Sequence, residues 1–247
     1  FTKKKGSLRV DVASYDIFLE VEALSKLYDQ GEGKAYLRPY IVDLAFKIQE
    51  ELEEVMIHIV KTAMQQTGIK KLCIAGGVGL NSVANYKILQ NLGLDDIFIF
   101  PACSDSGIPF GLAIWGYYNL NELGIKKFKK TNFENAYLGN SYTPKKIKYY
   151  LDKYKIVYSK QSTNKVAELI SQGNIIGWFQ GRSEYGPRAL GNRSILADSR
   201  RPEMKDILNK RVKHRESFRP FAPSIKIEDS KDYFDLNCPS PYMLLIA

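Results

Sequence analysis

The sequence predicts an α/β protein in two parts, and three observations carry that prediction. Between residues 71 and 121, apolar runs and amphipathic stretches alternate as strand, helix, strand, turn and helix. A second alternation of helix, strand, helix and strand runs over residues 143–179. Between them lies a polar, unpatterned stretch containing Lys126-Lys127-Phe128-Lys129-Lys130-Thr131-Asn132, where few contacts should cross. The expected parts are residues 1–125 and 140–247, joined by a linker at 126–139.

Composition narrows the class. The chain has 247 residues, 45% hydrophobic and 26% charged, which excludes a disordered, collagenous or disulfide-scaffold protein. Its 3 cysteines form no even bridging set, and no apolar run approaches the ~20 residues of a membrane helix. No membrane partner is expected, and a reducing, cytoplasmic setting is the default. The opening Phe1-Thr2-Lys3-Lys4-Lys5-Gly6 has neither Met nor a signal core, so it reads as an internal cut. The closing Tyr242-Met243-Leu244-Leu245-Ile246-Ala247 reads as a strand broken off, so a fragment is expected.

Taken in order, the first element is a long helix over about 34–66, with Leu37, Ile41, Leu44, Ile48, Leu52, Val55 and Ile59 stepping by three or four and Gly68 ending it. His58 falls on its wet face beside Glu51 and Glu54. Lys71–Ala75 reads as a buried strand closed by Gly76-Gly77, and Asn81 or Ser82 caps a helix that Gly93 stops. Ile97–Phe100 is a second buried strand, ended by Pro101; a turn at Ser104-Asp105-Ser106-Gly107 leads into a helix over about 108–121. Thr143-Pro144 starts a helix, with Thr as cap and Pro in the first turn. A strand at Ile156-Val157-Tyr158, a helix over about 163–171 and a strand at 175–179 follow. A helix over about 202–213 should pack inward through Met204, Ile207, Leu208 and Val212.

Two turns of the first part admit chemistry. Gly76-Gly77-Val78-Gly79-Leu80-Asn81 joins a strand to a helix, where bare backbone and helix N–H groups can face a phosphate; it can equally be a plain tight turn. Asp105 is open to an Asx-turn or helix-cap role on one side and to a metal or ribose contact on the other. The 2 histidines and the cysteines at 73, 103 and 238 lack metal-ligand spacing, so no complete metal site can be drawn.

Charge concentrates in the second part. Residues 1–139 carry 16 basic and 16 acidic side chains, whereas residues 140–247 carry 20 basic against 11 acidic. Of 10 arginines, 8 fall between Arg182 and Arg219. Rigid bidentate donors at this density, in a loop bent by Gly181, Gly186, Pro187 and Gly191, point to a bound phosphate or carboxylate. Arg182, Arg188 and Arg193 should project from that loop, with Asn192 and Ser194 adding neutral hydrogen bonds, and Arg215 and Arg219 should converge on the same pocket. Glu184 and Glu216 could instead neutralise an arginine each.

The run Gly177-Trp178-Phe179-Gln180-Gly181-Arg182, continued from Glu184 to Asp198 and again from Lys213 to Ser224, closely resembles carbamoyltransferases of the nodulation-protein and antibiotic-tailoring type. The resemblance extends over nearly the whole chain from about Ala35. It implies the second half of an actin-like (RNase H-like) α/β domain, related to the universal tRNA threonylcarbamoyl transferase, followed by an incomplete YrdC-like α/β domain. The YrdC-like part would make carbamoyl-adenylate from carbamoyl phosphate and ATP with Mg2+, and the other would move the carbamoyl group to a hydroxyl of a small acceptor. Position by position, Gly76, Gly77 and Asn81 match a nucleotide contact of the actin-like domain, and Asp105 a ligand of its metal, Fe2+ or another divalent ion in the family. Arg182, Arg188, Asn192, Arg193 and Ser194 match the carbamoyl phosphate and ATP loop, with Arg188 and Arg193 in the catalytic role, and Arg215 and Arg219 match its second basic cluster. The chain has Ser104-Asp105-Ser106-Gly107 where relatives have Gly-Asp-Ala-Gly, and it lacks their His-x-x-x-His pair, so it should be unable to transfer by itself. The alternatives are an RNA-binding or tRNA-modification module, which the absence of an aromatic-basic motif disfavours, and an inert scaffold that binds no nucleotide.

Overall fold

A computed structural model describes Thr2–Lys4, Ser7–Arg9 and residues 39–120, 122–124, 133–236 and 238–246. It is a mixed α/β protein of helices and three two-stranded sheets. Two compact units divide it: Phe1–Ile74 with Asn81–Ile99 and Ile246, and Ala75–Leu80 with Phe100–Leu245 and Ala247. Among the described residues no helix is long and apolar enough to cross a membrane.

In the first unit, β1 (Thr2–Lys4) and β2 (Ser7–Arg9) pair antiparallel, where the sequence suggested no element. Helix α1 (Pro39–Thr67) ends as expected at Gly68, whose N–H donates to the Met64 carbonyl (2.8 Å) with φ at 70°. The expected 34–38 portion lies outside the described residues. Its predicted apolar stripe is only half realised: Ile41, Leu44, Leu52 and Val55 are half-buried, but Ile48 and Ile59 are exposed. The face meeting α2 (Ser82–Leu92) runs instead through Glu53 and Val60, both buried. The reason is a polar seam that periodicity cannot reveal: Glu53 ion-pairs with Lys87 and accepts from Gln49 Nε2 (2.7 Å). His58 is correspondingly half-buried, not on a wet face, and its Nε2 is buried without a hydrogen bond.

Strands β3 (Lys71–Ile74) and β4 (Asp96–Ile99) pair in parallel, Lys71 opposite Asp96 and Ile74 opposite Ile99. Both were expected to be buried; each alternates, with Leu72, Ile74, Ile97 and Ile99 turned inward and Cys73 and Phe98 exposed. Among the described residues only these two strands form the sheet. Asn81 caps α2 by accepting from the Ala84 N–H (3.1 Å), and Gly93 closes it in the left-handed conformation. Ala84 and Ile88 lie fully buried beneath.

In the second unit, α3 (Ile108–Asn119) follows a 3-10 turn at Asp105–Gly107. Thr143 caps α4 (Pro144–Lys153), accepting from Lys146 N–H at 3.3 Å, and Ser162 caps α5 (Thr163–Ser171). The expected strand at Ile156–Tyr158 is absent: Val157 is 98% exposed and the segment finds no ladder partner. An apolar triplet forms a strand only where a neighbour takes its backbone groups. Strand β5 (Ile176–Phe179) instead pairs antiparallel with β6 (Arg193–Leu196), a strand the sequence hid inside the arginine loop. Helix α6 (Met204–Leu208) starts after the predicted Pro202 and widens into a π-helical turn at Asn209–Lys213; Met204 and Leu208 are buried but Val212 is exposed. Helix α7 (Ser230–Tyr233) is short. No strand forms at Tyr242–Ile246, where Met243 takes a positive φ of 53° and Leu244 turns inward. The β5–β6 hairpin carries one arginine cluster, and the irregular segment after the π-helical turn carries Arg215 and Arg219.

Candidate functional site

Three turns meet within the second unit. The N–H of Gly76 donates to the Cys103 carbonyl (2.7 Å), joining the glycine turn to the turn that holds Asp105. Gly107 closes the latter so tightly that a β-carbon there would collide with the Ala102 carbonyl. The arginine loop joins them: Tyr185 Oη donates to the Ser106 carbonyl (2.5 Å), and its ring lies 6.2 Å from Phe100 and 6.0 Å from Phe110. Gly186, at φ 121°, presses against Pro101, where a β-carbon would stand 3.1 Å from the carbonyl oxygen. The sequence placed the glycine and Asp105 turns in the first part and the arginines in the second; here all three share one compact unit. Residues 133–139, assigned to the linker, are woven in as well. Tyr185 N–H donates to the Ala136 carbonyl (2.7 Å), Tyr137 Oη to the Leu190 carbonyl (3.0 Å) and Gly139 N–H to the Ser183 carbonyl (2.9 Å).

The loop is organised around a buried acid. Glu184 Oε1 accepts from the backbone N–H groups of Leu190 (2.7 Å) and Asn192 (2.8 Å), while Oε2 accepts from Arg193 Nε (2.7 Å). Its side chain is 0% exposed. Burial pushes its carboxyl up, but the Arg193 guanidinium and the backbone donors outweigh this and hold it at about 2. Arg193 then reaches back through Nη2 to the carbonyls of Gly186 (3.4 Å) and Arg188 (3.3 Å). Arg182 donates to the carbonyls of Gly139 (2.5 Å) and Leu138 (3.1 Å), and Asn192 Nδ2 to the Arg182 carbonyl (2.7 Å). Ser194 sits on β6 opposite Trp178. Arg188 differs from all of these: its Nε is buried, and its side chain has no hydrogen bond or ion pair among the described residues. Its charge acts on the Cys103 thiol, which burial pushes up and Arg188 draws partly back.

The second cluster has its own hub. Asn209, 1% exposed, donates through Nδ2 to the Arg219 carbonyl (2.9 Å) and accepts Arg215 Nε on Oδ1 (2.7 Å). Arg215 also donates to the Pro220 carbonyl (3.1 Å) and stacks 4.6 Å over Phe221. Arg219 Nε lies 2.8 Å from Glu216 Oε2, an ion pair without hydrogen-bond alignment. His214 adopts a left-handed φ of 48° to turn the chain here. Among the described residues no hydrogen bond or ion pair joins an arginine of this cluster to the 182–193 loop, so each group has its own bracing.

Asn81 belongs to the first unit, and its amide is fully engaged. Oδ1 serves the Ala84 N–H and Gln49 Nε2 (3.2 Å), and Nδ2 donates to Gln49 Oε1 (2.8 Å). Asp105 exposes a carboxylate at the start of its turn. Among the described residues no three His, Cys, Asp or Glu side chains gather as a metal would require. Asp105 thus offers a single carboxylate, and the described residues bring no second and third ligand beside it. Sequence reasoning missed Asn209, the 133–139 strap and the structural duty of Tyr185; an acid embedded among arginines was the one visible signal for Glu184.

Residues 4–114 match the carbamoyltransferase N-terminus family and residues 167–247 the carbamoyltransferase C-terminus family. The chain is 42% identical over 259 residues to a protein of Synechocystis sp. described as uncharacterized, covering 99% of this chain and 42% of that one. It is 40% identical over 195 residues to nodulation protein NolO of Bradyrhizobium diazoefficiens, covering 78% and 36%, and 35% identical over 196 residues to nodulation protein U of Sinorhizobium fredii, covering 78% and 33%. The chain thus spans less than half the length of these relatives. The two family matches, the second of which contains the acid-braced arginine loop, show that the chain belongs to the carbamoyltransferases.

Proposed function

We propose that the protein to which this chain belongs is an ATP-dependent O-carbamoyltransferase, which forms carbamoyl-adenylate from carbamoyl phosphate and ATP and passes the carbamoyl group to a hydroxyl of a small acceptor. In this reading residues 1–125 are part of an actin-like domain and residues 140–247 of a YrdC-like one, acting in the cytoplasm. The observation that carries it is Arg188, a guanidinium held in the loop with no hydrogen bond or ion pair among the described residues. An uncompensated, partly desolvated cation strongly favours an anionic guest, and carbamoyl phosphate supplies one that can take two parallel hydrogen bonds. Arg182, Asn192, Ser194, Arg215 and Arg219 would orient donor and nucleotide, Mg2+ would arrive with the ATP phosphates, and alignment and charge stabilisation would do most of the catalysis. Gly76 and Gly77 would offer backbone to a nucleotide, and Asn81, which caps its own helix, is the third residue matched to that contact. Asp105 would give one ligand to a metal, Fe2+ in the family the sequence resembles, whose other ligands lie outside the described residues.

The test is carbamoyl phosphate-dependent exchange of pyrophosphate into ATP by the full-length protein. Arg188→Ala should reduce exchange to background while leaving the melting temperature nearly unchanged, because no partner is orphaned. Unaltered exchange would remove Arg188 from donor binding. Asp105→Ala should spare exchange and stop transfer to an acceptor.

A further inference from the structure

The remaining polar atoms of the arginine loop point to a division of labour between Arg188 and Arg193. Both carry the same charge five residues apart, but only one is available. Arg193 is engaged at Nε by Glu184 (2.7 Å) and at Nη2 by the Gly186 and Arg188 carbonyls (3.4 and 3.3 Å). Its charge is matched by a carboxylate whose side chain is 0% exposed. The pair is therefore locally neutral, and its contacts all fall on the backbone that carries Arg188. Glu184 holds the far side of the same segment through the N–H groups of Leu190 (2.7 Å) and Asn192 (2.8 Å). The stretch from Gly186 to Asn192 is thus gripped at four backbone points by two side chains, and within it the Arg188 side chain makes no hydrogen bond or ion pair among the described residues.

We infer that Glu184 and Arg193 act as a pair of positioning residues that present Arg188 to the carbamoyl donor, and that Arg193 is not itself a donor-contacting residue. This rests on the reading of the loop as the carbamoyl phosphate site. A phosphate contact at Arg193 would have to compete with a buried carboxylate already hydrogen-bonded to it, whereas Arg188 offers its fork without prior cost. Because the pair grips backbone, its loss should widen the range of Arg188 positions and weaken donor capture more than it slows the bound complex.

The experiment uses the full-length protein and compares Glu184→Gln, Arg193→Lys and Arg188→Lys, alone and combined. Glu184→Gln keeps an oxygen for the two N–H groups but removes the charge that holds Arg193. Arg193→Lys keeps the charge but cannot span carboxylate and carbonyls together, and at 41% side-chain exposure it leaves folding intact even if Glu184→Gln does not. Glu184→Gln and Arg193→Lys should each raise the KM for carbamoyl phosphate about tenfold in pyrophosphate exchange, with kcat and the KM for ATP nearly unchanged. In the Arg188→Lys background, Glu184→Gln and Arg193→Lys should add little further, since they act through a group already altered. Full additivity in that background, or an unchanged donor KM in both single variants, overturns the inference. Titration calorimetry with carbamoyl phosphate runs the same comparison on binding alone. If the wild type binds donor but does not exchange pyrophosphate, the adenylate reading fails and the binding comparison still decides the positioning roles. A wild type that neither binds nor exchanges overturns both.

Discussion

Glu184 makes the arginine loop acid-sensitive. Its carboxyl sits at about 2 in the folded chain against an ordinary 4.5, so folding favours the charged form. The associated stability is complete above about pH 4.5 and is lost as pH falls toward about 2, a span worth roughly 3 kcal/mol if the whole shift is expressed. Urea titrations at pH values from about 5 down to about 2 should therefore show a steeper loss for wild type than for Glu184→Gln, and parallel curves would remove Glu184 from the acid transition. The same geometry separates two arginines that look alike on paper. Arg193→Ala strands a buried carboxylate and should cost about 3 kcal/mol, read as a lower urea midpoint, while Arg188→Ala should barely move it. At this scale the clustering of arginines was legible because composition displays it. The burial of Glu184 and Asn209 was not, because an acid or an amide in a loop is ordinarily solvated and only the folded backbone reveals what it holds.

Elements were legible where the signal was local. The caps at Asn81 and Thr143 and the stops at Gly68 and Gly93 follow from side-chain and φ preferences that act within one turn, and all four stand where expected. Tertiary context decided the rest. Ile156–Tyr158 lost its strand for want of a partner, while Arg193-Ser194-Ile195-Leu196 gained one because Ile176–Phe179 lay ready to pair. The stripe on α1 was overridden by the Gln49–Glu53–Lys87 seam, which also ties the helix to the Asn81 cap. Asn81→Ala should thus cost more than an isolated cap, about 2 kcal/mol, and Gln49→Ala part of the same amount. Strict additivity of the two in thermal melts would show that cap and seam are independent. Gly186→Ala tests the loop as an element: the positive φ and the Pro101 carbonyl both oppose a side chain, so donor-dependent exchange should fall even if the fold survives.

For the whole molecule the decisive quantity is where the net charge of +9 lies and what it can recognise. The arginines of the loop and the 215–219 turn are mostly satisfied by backbone, acids and Phe221, so they do not form an open polyanion track. Basic and aromatic side chains also pair around α4, where Lys146 lies 5.4 Å over Tyr142 and Lys153 5.8 Å over Tyr154, on a largely exposed face. RNA meeting such a face would be held through phosphate charge alone, without selection. Binding that neutralises several phosphates releases their counterions and should fall by orders of magnitude between about 50 and 200 mM salt. A small-anion site has no condensed counterion layer to release and should lose only severalfold through screening. Filter binding of single-stranded RNA and calorimetry of carbamoyl phosphate across that salt range should therefore diverge, RNA vanishing while the donor persists. RNA retention that survives salt and resists competition by unrelated sequences would instead favour a nucleic-acid substrate, and the Lys146 and Lys153 face would be where to break it.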